Sequence, residues 1–165
     1  MNIKILGPTH AESYHKIRLE GLRNHPEAFG SSYEEEKGFS IERFESRLND
    51  EHSFTFGAFD GEKLAGVVTL VLETKVKLKH RAGIYAMYVS TYRQRSGIGK
   101  SLMQEAINKA KEMGYIEQIY LAVVSSNKAA KKMYESLGFV IYGVDKKALK
   151  IGQDYYDEEL MVLYI

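Results

Sequence analysis

Two glycines separated by one residue, Gly97 and Gly99, stand among basic and hydroxyl side chains in the segment YRQRSGIGKSLM. A Gly-x-Gly turn at the start of a helix presents free backbone N–H groups and the positive end of the helix dipole, and both bind phosphate. Glycine also lets the backbone approach the anion closely. The segment therefore predicts a phosphate or pyrophosphate site over residues 95–100.

Two well-known phosphate motifs do not fit this turn. A dinucleotide-binding fingerprint needs a third glycine at the position of Leu102. A P-loop would end in Gly-Lys-Ser, which Gly99, Lys100 and Ser101 match, but its first glycine would stand where the chain has Gln94. The sequence thus argues against both a nicotinamide or flavin dinucleotide and a P-loop nucleotide.

The segment instead resembles the QxxGxG signature of the GNAT superfamily of N-acetyltransferases, with Gln94, Gly97 and Gly99 at its three defining positions. A second stretch resembles the other half of the family's coenzyme site and follows at the family's spacing: Asn127, Ala130, Tyr134, Gly138 and Phe139. Two ordered matches separated by a predicted strand favour a shared function over chance. The resemblance covers about residues 54–140 well, and the first fifty residues match it only in element order.

The resemblance implies acetyl-coenzyme A as co-substrate. The glycine turn would hold its pyrophosphate, and the strand Tyr85–Val89 would splay from its neighbour so that free backbone pairs with the pantetheine amides. The predicted coenzyme-binding residues are Met87, Val89, Gln94, Arg95, Ser96, Gly97, Ile98, Gly99, Lys100, Ser101, Asn127 and Ala130. Simpler roles exist for some of them, since glycines often serve a turn and Asn127 could merely cap a helix.

Tyr134 is the candidate catalytic residue. In enzymes of the resembling family, a tyrosine here lies beside the thioester sulfur and protonates the departing thiolate. A phenol of pKa about 10 facing a thiol of about 8.5 is a hydrogen-bond donor and a weak acid. The alternative is a core role, because Ala130, Met133 and Leu137 share its predicted helix face.

The general base is not evident from the sequence. Several members of the superfamily carry a glutamate at the position of Gly83. Possible substitutes are the acidic run Glu34, Glu35 and Glu36, which is otherwise a solvated surface segment, and Tyr85. An α-amino group of pKa about 7.8 is roughly a tenth neutral at pH 7, against about 0.04% for a lysine, so an α-amine depends least on a base.

Hydrophobic periodicity predicts how these residues are positioned. A short first strand, a helix capped by Thr9 and Glu12, a loop over residues 27–39, and a second helix capped by Ser40 precede a hairpin turning at Asp60-Gly61. Strand, helix, strand, helix and two final strands follow from residue 82 onward. This order predicts an α/β (α+β) fold in a single GNAT-like domain over 1–165, with a mixed central sheet of about six to seven strands and helices on both faces.

Composition narrows the class of protein. Twenty-three basic against 22 acidic residues leave a net charge of +1, which does not suggest a nucleic-acid partner. The basic stretch 75–81 is interpreted as a solvated strand edge. There are no cysteines, the five histidines lack metal-site spacing, and no window of about 18 apolar residues occurs. We expect no metal, no membrane partner and a cytoplasmic location, as a monomer or homodimer.

Two hypotheses follow. The first is an acetyl-CoA-dependent N-acetyltransferase that transfers an acetyl group to a primary amine of a small molecule, an amino acid or a peptide or protein N-terminus, by direct attack in a ternary complex. The alternative is a non-catalytic acyl-CoA-binding or sensing module of the same fold, which the missing strand glutamate would explain.

Overall fold

The computed structural model describes all residues, 1–165, and builds every strand into one sheet. The strands are β1 (Asn2–Ile5), β2 (Ser53–Asp60), β3 (Lys63–Leu72), β4 (Arg81–Val89), β5 (Gln118–Val124), β6 (Val140–Ile151) and β7 (Asp154–Tyr164). Their spatial order is β1-β2-β3-β4-β5-β7-β6. Only β4 and β5 pair in parallel, and every other neighbouring pair is antiparallel. The predicted mixed sheet of six to seven strands is confirmed.

Helices cover both faces of this sheet, as predicted. The helices are α1 (Ala11–Asn24), α2 (Tyr33–Glu36), α3 (Ile41–Leu48), α4 (Ile98–Glu112) and α5 (Lys128–Ser136). On one face, α4 and Tyr134 of α5 pack with the strands in a core of 21 buried residues. On the other face, α1 and α3 close a smaller core of 12 buried residues around Phe44. The sheet is therefore a rigid support between two apolar layers.

Three local predictions are wrong. Thr9 does not cap the first helix, because Pro8–His10 forms a 3-10 turn in which the Gly7 N–H donates to His10 Nδ1 at 3.1 Å. The segment 27–39, predicted as a loop, contains the end of a second 3-10 turn, Pro26–Ala28, and the helix α2. The stretch 75–81, interpreted as a strand edge, is a turn up to the first residue of β4. In each case short-range hydrogen bonds satisfy the backbone where periodicity gave no signal.

The parallel pair β4 and β5 separates part of the way along. Their register runs only from Arg81 opposite Gln118 to Gly83 opposite Tyr120. Beyond that point, β4 stays paired to β3 but carries a bulge, in which Ala86 has a φ of +52°. Such a bulge bends a strand and disrupts its ladder. The sheet therefore opens between the carboxyl-terminal halves of β4 and β5, as the family resemblance implied.

Candidate active site

The glycine turn lies directly after β4 and opens α4. Arg95 has a φ of +61° and Gly97 a φ of +81°, so two left-handed residues turn the chain within three positions. Gly97 is the N-cap of α4 and supplies no side chain to the first turn. The backbone N–H groups of residues 95–100 have no acceptor in the chain. This concave run of free donors at a helix N-terminus fits a pyrophosphate.

The cations around the turn differ in their availability. Arg93 is held by Asp60 at the β2–β3 hairpin, with Nε to Oδ2 at 2.8 Å. Arg95 and Lys100 are exposed and form no ion pair within the chain. Gln94 turns back toward the strand, where its Nε2 donates to the Val89 carbonyl at 3.4 Å. Two free cations therefore flank the amides, while Arg93 and Gln94 brace the turn against the sheet.

One cavity of about 680 Å³ connects this turn with the opening between β4 and β5. Of the sequence-predicted coenzyme-binding residues, it is lined by Met87, Val89, Gln94, Arg95, Gly97, Ile98, Gly99, Lys100, Asn127 and Ala130. Ser96 and Ser101 do not line it: the Ser96 hydroxyl bonds to the Arg93 carbonyl, and Ser101 begins the helical hydrogen bonding of α4. The cavity thus brings together residues from both sequence motifs.

The second motif forms the far wall of this cavity. Asn127 caps α5, with its Oδ1 accepting from the Ala130 N–H at 3.1 Å. This cap aims the first turn of α5 at the opening in the sheet. Two turns into the helix, Tyr134 reaches the same cavity, and its ring packs edge-on against Phe139 with centroids 6.0 Å apart. The core role and the cavity role of this tyrosine therefore coexist.

The Tyr134 hydroxyl is kept protonated. Burial raises the pKa of Tyr134 to about 12, and no hydrogen bond to another side chain opposes that effect. A phenol with this pKa stays neutral at physiological pH and is available as a donor to an atom in the cavity. The chemistry open to it is donation toward developing negative charge.

Three residues outside both sequence motifs, His25, Glu27 and Ala28, line the cavity on the α1 side. His25 ends α1, and Glu27 and Ala28 belong to the 3-10 turn that follows and that lies against β5. His25 Nδ1 and the Glu27 Oε1 are 3.6 Å apart. The sequence signal was the tripeptide His-Pro-Glu directly after a helix. The proline ends the helix, and an imidazole and a carboxylate stand on either side of it.

Tyr88 joins this wall to the sheet. Its hydroxyl donates to Glu20 Oε1 at 3.0 Å and lies 3.5 Å from Asn24 Nδ2. Burial raises the pKa of Tyr88 to about 12; the bond from Asn24 acts to lower this pKa, and Glu20 acts to raise it. Glu20 also accepts from the Ser90 hydroxyl. These bonds fix the end of α1 against β4.

A second, smaller cavity of about 240 Å³ lies on the same side of the sheet as α1 and α3. Tyr85 and Glu36 line it, whereas Glu34 and Glu35 do not. Glu34 pairs with Lys37, and the Glu35 carboxylate accepts from the Ser32 N–H at 2.8 Å. Of the acidic run, only Glu36 faces inward.

Glu36 is a buried structural anion. Only 1% of its side chain is exposed, and it accepts from Arg18 at 2.9 and 3.1 Å and from Arg47 at 3.3 Å. Burial acts to raise the pKa of Glu36, but the bonds and charges of both arginines outweigh it and lower the pKa. A carboxylate so strongly stabilised as an anion is a poor proton acceptor.

Tyr85 occupies the space beside Gly83. A Cβ built on Gly83 would lie 2.5 Å from a ring carbon of Tyr85 and 2.9 Å from its hydroxyl. The ring therefore fills the place that a side chain at position 83 would enter.

No group of three or more His, Cys, Asp and Glu side chains is arranged to hold a metal ion. No helix combines the length and apolarity needed to cross a bilayer.

A split sheet, an amide-lined turn and a phenol meet in one cavity. This combination is typical of transferases that use acyl-coenzyme A. The profile of the acetyltransferase (GNAT) family matches residues 18–139. The chain belongs to this family.

Individual relatives agree with this assignment. The chain is 30% identical over 122 residues to human N-alpha-acetyltransferase 30, a match that covers 68% of this chain and 33% of the relative. The chain thus spans about a third of the human relative's length. An acetyltransferase of the GNAT family from Streptococcus pneumoniae has a TM-score of 0.89 at 24% identity, over 99% of this chain and 98% of that one. A putative acetyltransferase from Salmonella typhimurium, solved with its cofactor acetyl-CoA, has a TM-score of 0.84 at 16% identity, over 99% and 93%.

Proposed function

We propose that this protein is an acetyl-CoA-dependent N-acetyltransferase that modifies a primary amine, with an α-amine as the preferred class. One observation carries the proposal: Arg95 and residues 97–100, whose backbone N–H groups are unpaired, line the same cavity as Tyr134. A pyrophosphate in the turn and a thioester beside the phenol are the two ends of one ligand. Acetyl-CoA, when bound, supplies the activated acetyl group as that thioester.

The chain's own residues have four tasks in this reaction. The glycine turn binds phosphate through backbone donors, and Arg95 and Lys100 add charge. The unpaired edge of β4 around Met87 and Val89 orients the pantetheine arm. A backbone N–H near Val89 is a candidate donor to the carbonyl oxygen as it gains charge. Tyr134 donates its proton to the leaving sulfur. Ordered placement of the amine beside the thioester supplies a further part of the rate enhancement.

The preference for an α-amine has two supports. Gly83 leaves the strand without the glutamate that several members of the superfamily use, and an α-amine is neutral far more often than a lysine at pH 7. The human relative is named an N-alpha-acetyltransferase. Tyr85 and the cavity beside Glu36 are the proposed acceptor side, with Glu34 and Glu35 as solvated charges at its margin.

The test compares acceptors that differ only in the amine. A peptide with a free N-terminus and one lysine is incubated with acetyl-CoA beside the same peptide acetylated at its N-terminus, while free thiol is measured. We expect thiol release with the free peptide and little with the blocked one. Spermidine and free amino acids complete the panel, because they carry amines of other pKa and size.

The missing strand glutamate also motivates the alternative, a non-catalytic acyl-CoA-binding module. Binding of acetyl-CoA is therefore measured in the same experiment by calorimetry. Tight binding with no thiol release for any amine would favour the module. Failure to bind acetyl-CoA would contradict both functions.

A further inference from the structure

The cavity that Tyr134 lines also carries a pair of side chains suited to accept a proton. The 680 Å³ cavity is lined by the arginines and lysine of the glycine turn, by two tyrosines, and by His25 and Glu27. The cations have no free lone pair, and both tyrosines have a pKa raised to about 12 by burial. His25 and Glu27 are the only lining side chains that carry an imidazole or a carboxylate, the groups able to accept a proton.

We infer that His25, oriented by Glu27, is the general base that takes the proton from the acceptor amine. The inference rests on the proposed function. It assigns to the α1 side of the cavity the role that Gly83 does not perform on β4. His25 would touch the reacting nitrogen, and Glu27 would act through His25.

The geometry of the pair points to Nε2 as the reacting nitrogen. His25 Nδ1 lies 3.6 Å from the Glu27 Oε1 and faces the carboxylate. Nε2 has no hydrogen-bond partner in the chain and is free to meet the acceptor. Pro26 lies between the two residues and begins the 3-10 turn that holds Glu27 near the imidazole. About 40% of the His25 side chain and 31% of the Glu27 side chain are exposed, so an amine arriving from solvent can reach them.

Other ionisable groups share the cavity with the imidazole. Beyond Glu27 on its own turn, they are Tyr88 on β4, with ring centroids 6.1 Å apart, Tyr134 on α5, and Arg93, Arg95 and Lys100 of the glycine turn and α4 in the same cavity. Glu36, the buried carboxylate nearest the acceptor side, is held as an anion by two arginines in the other cavity. None of these groups competes with His25 as a proton acceptor.

Each proton transferred in the reaction has a donor and an acceptor. An ammonium acceptor gives one proton to His25 Nε2, and the neutral amine then attacks the thioester carbonyl carbon. The C–N bond forms and the C–S bond breaks, with the proton of the Tyr134 hydroxyl passing to sulfur. The second proton lost from nitrogen restores the Tyr134 hydroxyl, and His25 releases its proton to solvent. The products are the amide, free coenzyme A thiol and one proton.

The test replaces His25 by glutamine, which keeps polarity but cannot take the proton. We expect kcat at pH 7 to fall about 100-fold, the low end of general-base contributions, while the dissociation constant of acetyl-CoA is unchanged. The defect should shrink as the pH rises, because the amine then loses its proton to solvent. Glu27→Gln should lower kcat by less and in the same direction.

The chain offers a matched control. His52 Nε2 lies 3.4 Å from the Glu51 Oε1, and half of its side chain is exposed, but it does not line the cavity. His52→Gln should leave kcat and its pH profile unchanged. Full kcat with an unaltered pH profile in His25→Gln would overturn the role of His25 alone. A wild-type protein that binds acetyl-CoA but acetylates no amine would overturn the proposed function and His25's role with it.

Discussion

Replacing Tyr134 by phenylalanine removes the proposed acid and nothing else. The ring keeps its edge-on contact with Phe139 at 6.0 Å, and the missing hydroxyl has no partner within the chain. We therefore expect the free energy of unfolding to change by less than about 1 kcal/mol. General-acid catalysis contributes about 100- to 10,000-fold, so kcat should fall by that factor, or about 2.7 to 5.4 kcal/mol in activation free energy.

The raised pKa makes this prediction specific. With a pKa of about 12, only ~10⁻⁵ of Tyr134 is ionised at pH 7, so the wild-type residue is the proton donor throughout the neutral range. Thiol release under saturating acetyl-CoA measures kcat, and calorimetry measures binding, which should not change. Tyr115, which is exposed and lies outside the cavity, supplies the control Tyr115→Phe. Wild-type turnover in Tyr134→Phe would refute the assignment of the acid.

Three further predictions concern the glycine turn and the buried anion. Gly97→Ala and the control Gly61→Ala each place a side chain on a left-handed residue, at a similar cost of ~1–2 kcal/mol. Gly97→Ala should weaken acetyl-CoA binding, measured by calorimetry, whereas Gly61→Ala at the β2–β3 turn should leave binding unchanged. Equal affinities of the two variants would contradict the phosphate placement. Glu36→Gln should lower the free energy of unfolding by about 3 kcal/mol in urea, since it leaves Arg18 and Arg47 without their buried partner, and Arg47 is partly exposed. The pKa of Glu36 is lowered in the folded protein, so ionised Glu36 stabilises the fold at pH values above its ordinary pKa of 4.5. This stabilisation is lost as the pH falls through the folded pKa. The acid unfolding curves of wild type and Glu36→Gln should therefore converge at low pH.

The glycine turn and the helix after it could be predicted from sequence because their signals are local. The apolar spacing of α4, Gly97 at its start and Gly114 after its end all act within a few residues. Asn127 capping α5 is equally local. Because these signals are short-range, both helices begin directly after residues that the sequence singles out, Gly97 and Asn127.

The acceptor side could not be predicted in the same way, because it depends on contacts distant in sequence. Glu36 is buried only because Arg18 of α1 and Arg47 of α3 meet it, and nothing in the run of three glutamates distinguishes it from Glu34. His25 reaches the 680 Å³ cavity because α1 packs over β4 and the next turn contacts β5. Helix packing determines these positions, and periodicity does not report it.

Gly83 and Tyr85 show why β4 does not supply the proton acceptor. A side chain at position 83 would meet the Tyr85 ring at 2.5 Å, so a glutamate there requires the ring to shift. At this position of β4 the Tyr85 ring therefore lies where a carboxylate side chain would otherwise stand. Once β4 offers no base, the choice is restricted to the other side chains that line the cavity. Among these, only His25 at the end of α1 and Glu27 in the turn after it carry an imidazole or a carboxylate that can accept a proton.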